Sequence, residues 1–215
     1  MTITHPAKYT DALLPVMAEM IQGCNHIIDP FAGSGKIHHL RYFGYTGGIT
    51  AIEIEPEYAL MDVNTIIGNA LHLDFSDNTF DGAITSPTYG NRMADHHVAR
   101  DLSKRNTYRH TLNHKLHPDN SGQLQWGNEY REFHKKAWIE LRRVLQPNAV
   151  FVLNCKNHIR HTVEQYVTEF HSEYLQSIGF TLVNHVKVNC KGNRFGKNGN
   201  IRIQYESILK YILSK

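Results

Sequence analysis

NHIIDPFAGSGK, from Asn25 to Lys36, joins a short apolar run, Ile27 and Ile28, to an acid, Asp29, and then to a Gly-rich turn, Gly33-Ser34-Gly35, ahead of residues that can start a helix. A strand that feeds a glycine turn and then a helix N-terminus leaves backbone N–H groups aimed at whatever sits above the strand. That is the layout of a nucleotide-type pocket. Many βαβ units carry two glycines at such a turn and only some bind a nucleotide, so a second stretch has to discriminate. In it, Ala83-Ile84-Thr85 runs into Ser86-Pro87-Thr88-Tyr89-Gly90-Asn91-Arg92, an apolar strand entering a turn with a small polar group, a proline and an aromatic ring. Functional turns at the C-terminal ends of parallel strands face one crevice, and the two turns are therefore expected to share a hollow.

DPFAGSG resembles the cofactor motif of the S-adenosylmethionine-dependent amino-methyltransferases that act on nucleic acids. SPTY resembles their catalytic tetrapeptide, usually Asp, Asn or Ser followed by Pro-Pro-Tyr. The chain is most similar to the short, free-standing DNA methylases of bacteria and their phages, over nearly its whole length, and departs from them at Thr88, where a second proline is usual. The resemblance implies an α/β, class I methyltransferase (Rossmann-like) fold: a doubly wound, mostly parallel seven-stranded sheet with an antiparallel last strand. It implies S-adenosylmethionine as cofactor, held by Asp29, Pro30, Phe31, Ala32, Gly33 and Gly35 of the first turn, by Glu53 and Ile54 after the second strand, and by Asn69 and Ala70 after the third. Catalysis then falls to Ser86, Pro87, Thr88 and Tyr89.

The chemistry explains these residue types. An exocyclic amino group on a base is a poor nucleophile, because its lone pair is delocalised into the ring. In the resembling family the side chain of the first tetrapeptide residue and the backbone carbonyl of the next accept the two amine hydrogens, here Ser86 and Pro87, while Tyr89 stacks on the extruded base. The transfer is a direct in-line displacement, with donor and amine about 3 to 3.5 Å apart. Asp29 is expected to take the α-amino group of the cofactor's methionine part, to cap the following helix, or both, and Phe31 to pack against the cofactor. An acid about twenty residues after the glycine turn is placed to accept both ribose hydroxyls; Glu53 is preferred and Glu55 is second. Asn69, with Asp74 as fallback, is assigned to the adenine.

Outward from these turns, a helix is expected over 11–23 from the spacing of Leu13, Leu14, Met17, Met20 and Ile21, and another after Gly35 that stops at Gly44. Strands are expected at 25–30, 48–56, 65–68, 80–85 and 149–155. Asn128 to Gln146 reads as a helix with Phe133, Ala137, Trp138, Leu141, Val144 and Leu145 as its apolar stripe and Pro147 as its stop. Thr162 to Ile178 reads as a second helix with Thr162 and Gln165 in capping-box spacing. Phe180–Val188 and Ile201–Ile212 close the sheet as a hairpin-like pair. Residues 1–215 are taken as a single domain, in which 91–127 is a lid or substrate-recognition insertion and 191–200 a hairpin loop. That insertion, about 35 polar residues long, exceeds what a compact domain keeps without a use.

The 215 residues suffice for a buried core. No apolar run approaches the roughly 20 residues of a membrane span and the start is not a secretory signal, so a cytoplasmic protein of a bacterial cell or phage-infected host is expected, with no membrane partner. Cys24, Cys155 and Cys190 are odd in number and scattered, which argues for buried thiols rather than disulfides or a zinc site. The net charge of +3 is compatible with a nucleic-acid partner without requiring one. The partner is taken as DNA, with RNA possible, and the phosphate contacts as Arg92, Arg100, Lys104, Arg105 and Arg109 of the insertion with Lys191, Arg194 and Lys197 near the last hairpin. His110, His114 and His117 have zinc-ligand spacing but no cysteine nearby, and no metal is assigned. The resemblance favours cytosine N4 as target over adenine N6, since members of that family with Ser at the head of the tetrapeptide often act on cytosine. The other readings are an RNA amino-methyltransferase acting, for example, on guanine N2, a nicotinamide-dependent oxidoreductase, which leaves SPTY unexplained, and a nucleic-acid-binding methylase fold without catalysis.

Overall fold

The structure is a computed structural model that describes residues 5, 6, 10–90, 108–190 and 200–215. Its strands are β1 (His26–Asp29), β2 (Gly48–Glu53), β3 (Thr65–Ile67), β4 (Phe80–Thr85), β5 (Leu145–Cys155), β6 (His158–Arg160), β7 (Val163–Gln165), β8 (Phe180–Asn189) and β9 (Tyr205–Leu213). The α-helices are α1 (Leu14–Met20), α2 (Pro56–Ala59), α3 (Tyr108–Leu112), α4 (Asn128–Val144) and α5 (Val167–Ser177). Seven strands form one sheet in the order β3-β2-β1-β4-β5-β9-β8, and β6 pairs with β7 apart from it. β1 to β5 pair in parallel, whereas β9 runs antiparallel to both β5 and β8. This is the class I methyltransferase sheet that the resemblance implies.

Neighbouring strand residues point to opposite faces, so Ile27 and Ile28 enter different cores. On one face Leu13, Met17, Ile21, Ile37 and Leu40 bury against Ile27, Ala51, Ile84 and Val152. On the other, Trp138, Leu141 and Val144 of α4 and Leu175 of α5 bury against Ile28, Ile52, Ala83, Phe151 and Leu153. A sheet covered on both sides needs continuous apolar runs rather than alternation, which is what AVFVL, residues 149–153, provides in β5. Leu141 is wholly buried in α4; Leu141→Ala is expected to cost about 2–5 kcal/mol of folding stability, read as a lower midpoint in denaturant unfolding.

Three local expectations are corrected. Pro147 does not stop α4: the helix ends at Val144 and β5 begins at once, with Pro147 and Asn148 inside a register shift opposite Phe80–Gly82. Asn148 has φ +63°, a conformation asparagine tolerates, and Pro is admitted at such an irregularity. Thr162 does not cap a helix. His161 and Thr162, both at positive φ, form the two-residue turn between β6 and β7, and Val163 and Tyr166 are exposed. Paired positive φ values are the mark of a tight hairpin turn, usually made by Asn-Gly; His-Thr carries no such signal. The segment after Gly35 is a 3₁₀ helix, Lys36–Phe43, stopped by Gly44 as expected. Within the insertion, 108–127 is anchored, since Tyr108 and Leu116 bury against Tyr58 of α2.

β1 and β4 lie side by side although β2 and β3 intervene in sequence. The chain leaves β1 towards one side and β4 towards the other, and a crevice opens between the two departing turns.

Candidate active site

The two turns are stitched together beneath that crevice. Asp29, fully buried at the end of β1, accepts with Oδ1 a hydrogen bond from the Phe31 N–H at 3.0 Å and one from the Thr85 hydroxyl, at the end of β4, at 2.6 Å. Asp29 therefore sits under the floor, and the residues that follow it form the wall. Pro30 to Ser34 and Ser86 to Tyr89 line one cleft of about 280 Å³, together with Glu53, Ile54 and Ala70. Phe31 lines it while its ring packs on Phe133, His134 and Trp138 of α4, so its position is set from behind.

Glu53 is the cleft's buried acid. Its two oxygens accept the Gly33 N–H at 3.0 Å and the Glu55 N–H at 2.8 Å. Burial outweighs these bonds and pushes its carboxyl up to about 7. Glu55 points elsewhere: its Oε1 accepts the His117 N–H and the Asn120 side-chain amide, both at 2.7 Å, which pins residues 117–120 over the sheet edge. Two assignments from the sequence change their physical meaning. Gly35, at φ +73°, does not line the cleft; a Cβ there would lie 2.5 Å from the Cβ of Asp62, so tight packing demands the glycine. Asn69 also stays out of the lining, its oxygen accepting the Leu71 N–H and its amide donating to Asp119, each at 2.9 Å. Asp119 does line the cleft, with Asn120 and Ser121.

At the other turn, Ser86 Oγ lies 2.8 Å from the Tyr89 hydroxyl, which donates to Glu206 Oε2 at 3.1 Å. The wholly buried Asn154 amide reaches Ser86, Tyr89 and Glu206 at 3.1, 2.9 and 2.9 Å. The backbone of the tetrapeptide is held from α4 and α5. Trp138 Nε1–H donates to His171 Nδ1 at 3.1 Å, so the His171 proton sits on Nε2 and points at the Tyr130 hydroxyl 3.0 Å away; that hydroxyl donates to the Thr88 carbonyl at 2.6 Å. Burial, with His134 close by, drives the His171 pKa well down, keeping the ring neutral. Thr88, the departure from the second proline, donates its hydroxyl to Ser121 at 3.0 Å, and this replaces a ring constraint by a hydrogen bond to the 121–123 turn.

Several lining residues were not anticipated from the sequence: His5, Lys36, Tyr108, Asp119 to Ser121, and Glu206. Pro118-Asp119-Asn120-Ser121-Gly122 carries turn chemistry that marks a built loop, and Asn120 does accept the Gly122 N–H. Nothing in the pattern singles out Glu206. Of the basic residues assigned to phosphates, Arg92, Arg100, Lys104, Arg105, Lys191, Arg194 and Lys197 lie outside the described residues, as does the side chain of Arg109. His114 bonds the Lys115 carbonyl and Glu57, and among the described residues no group of side chains is arranged to hold a metal. The three cysteines are free and buried, as expected.

The fold is shared with solved structures of low sequence identity. A SAM-dependent methyltransferase from Methanosarcina mazei superposes with a TM-score of 0.58 at 15% identity, covering 93% of this chain and 97% of that one. One from Aquifex aeolicus gives 0.55 at 17%, covering 94% and 89%. The 1,6-didemethyltoxoflavin-N1-methyltransferase of Burkholderia thailandensis, solved with bound 1,6-didemethyltoxoflavin and S-adenosylhomocysteine, gives 0.52 at 15%, covering 95% and 80%. No curated protein matches the sequence. The profile of one family, the N6/N4 DNA methylases, does match, over residues 80–215, from the strand that delivers the SPTY turn to the end of the last strand of the sheet. With that span covering most of the chain, and with the first turn folded against it in the methyltransferase arrangement, the chain belongs to the N6/N4 DNA methylase family.

Proposed function

We propose that this protein transfers a methyl group from S-adenosylmethionine to an exocyclic amino group of a DNA base, cytosine N4 ahead of adenine N6. The observation that carries the reading is the shared cleft: the turn after β1 and the tetrapeptide after β4 line one hollow, tied together by the Asp29–Thr85 hydrogen bond. The cofactor fits the first half of that hollow. Glu53 offers a buried carboxylate where a ribose would lie, Gly33 lets the backbone approach, and Phe31, Ile54 and Ala70 supply apolar walls. When bound, the cofactor supplies a methyl group on a cationic sulfur.

The chain's own residues prepare the amine. Ser86 Oγ accepts one of its hydrogens and the Pro87 carbonyl the other, which turns the nitrogen's lone pair out of the ring. The Tyr130–Thr88 hydrogen bond holds the tetrapeptide backbone in place. Charge disappears from the donor sulfur during transfer, so a partly closed, apolar wall favours the forward step. The basic residues of 91–109 and 191–197 serve as the phosphate contacts that bring an extruded base to the cleft.

Incubating the protein with labelled cofactor and, side by side, duplex DNA and tRNA is the direct test. Label is expected in DNA, and nucleoside mass spectrometry of the digest is expected to show N4-methylcytosine. Label in tRNA alone would replace DNA by RNA as the substrate, and label in neither would remove the assignment.

A further inference from the structure

We propose that Ser86, Tyr89 and Glu206 form a proton relay that carries the hydrogen released by the target amine from the tetrapeptide to the last strand of the sheet. The relay rests on the amino-methyltransferase reading above. Its parts are on three elements: Ser86 and Tyr89 follow β4, Asn154 lies in β5, and Glu206 lies in β9, which pairs with β5. The donors and acceptors fall into one order. Tyr89 commits its hydroxyl hydrogen to Glu206 Oε2, so in the Ser86–Tyr89 contact Ser86 must be the donor. The Asn154 amide gives a hydrogen to Ser86 Oγ. A serine oxygen accepts two hydrogen bonds, and Ser86 is therefore left with a lone pair for an amine hydrogen.

Asn154 shows that the cluster is built to hold a carboxylate. Its Nδ2 faces all three acceptors, while its Oδ1 is buried with no hydrogen-bond partner among the described residues. A buried acceptor left unsatisfied is destabilising, which marks the orientation of the amide as fixed by the Ser86–Tyr89–Glu206 side. Burial, with Glu206 adjacent, holds the Tyr89 hydroxyl pKa well above its ordinary value. Tyr89 accordingly does not rest as a tyrosinate and passes a proton only by receiving one.

As the nitrogen–carbon bond forms and the carbon–sulfur bond breaks, its electron pair staying on sulfur, positive charge builds on the nitrogen and one N–H bond breaks towards Ser86 Oγ in the same step. The Ser86 hydroxyl proton moves to the Tyr89 oxygen and the Tyr89 proton moves to Glu206. The neutral methylated amine is left, both hydroxyls are restored, and Glu206 carries the proton at the cleft wall, where it is handed to solvent. A serine at the head of the tetrapeptide can make this exchange; a side-chain amide at that position has no hydroxyl to do so.

Glu206→Gln keeps an acceptor for Tyr89 and removes the proton acceptor. With the DNA substrate, kcat is expected to fall about a hundredfold at unchanged KM for DNA and cofactor, with part of the rate restored in Glu206→Asp and the same loss in Tyr89→Phe. The solvent deuterium isotope effect on single-turnover transfer is expected to increase in Glu206→Gln. A readout free of turnover is the Tyr89 hydroxyl proton in the NMR spectrum, expected at low field through its charge-assisted bond and shifted upfield in Glu206→Gln. Wild-type protein that methylates while Glu206→Gln matches it within about twofold would overturn the relay alone, as would a hydroxyl signal that does not move. Wild-type protein that methylates neither DNA nor RNA would overturn the functional reading, and the relay with it.

Discussion

Ser86→Ala is expected to lower the rate of methyl transfer by about 10²–10³-fold with cofactor affinity unchanged, the scale seen when one preorganised polar partner of a reacting group is removed. The expectation follows from what Ser86 does and does not touch. Its hydroxyl is oriented by Asn154 at 3.1 Å and Tyr89 at 2.8 Å. Removing it leaves the cofactor half of the cleft intact, and leaves the amine with one acceptor, the Pro87 carbonyl. Single-turnover transfer measures the first consequence and calorimetric titration with cofactor the second. A double variant sharpens the test. Ser86 and Glu206 act in series, so Ser86→Ala with Glu206→Gln is expected to be no slower than Ser86→Ala alone, whereas independent contributions would multiply. A Ser86→Ala protein that keeps the wild-type rate would leave the tetrapeptide as an ordinary strand-end turn.

The sequence made the sheet and the two turns legible because both depend on local rules. Apolar runs of strand length ending in Gly-rich or Pro-containing turns specify strand, turn and crevice without reference to distant residues, and Ile27–Asp29, Phe80–Thr85 and the apolar stripe of α4 lie where the pattern predicts. Legibility failed where a residue's meaning came from across the fold. Asp29 is assigned to the cofactor from the sequence, and nothing local announces that Thr85, 56 positions on, also donates to it. Asn69 is assigned to the cofactor's adenine, and nothing local announces that its amide donates to Asp119. No pattern in the sequence singles out His134 and His171, yet both are fully buried and neutral, and His171 passes the orientation of Trp138 to Thr88 through Tyr130. Glu206, which completes the polar cluster, has no sequence signal because its role exists only once β9 is laid against β5. Periodicity reports which face is apolar. It is silent on which buried polar groups will meet.

With Glu53 as the proposed ribose ligand, cofactor binding is expected to be coupled to a proton, and the coupling has a definite sign. Its carboxyl is pushed from 4.5 up to about 7 by burial, against the two backbone N–H donors that favour the ion. Below about pH 4.5 the group is neutral in the folded and unfolded chains alike. Between there and pH 7 the folded protein keeps the proton that the unfolded chain has given up, so stability falls as pH rises through this window, by about 3 kcal/mol once the group is ionised. Ribose hydroxyls donated to Glu53 favour the carboxylate and pull its pKa back down. At pH 6 the free protein carries the proton on about nine molecules in ten, and cofactor binding is expected to release most of it. Titration calorimetry in two buffers of different ionisation enthalpy reads that release directly, with no methyl acceptor present. Glu53→Gln is expected to abolish the buffer dependence and to weaken cofactor binding about a hundredfold, because charge-assisted bonds to the hydroxyls are each worth about 1.5–3 kcal/mol. Binding that releases no proton at pH 6 and survives the substitution would move the ribose away from Glu53. Since Glu55 is already spent on His117 and Asn120, Asp119, which also lines the cleft, would then be the next carboxylate to test.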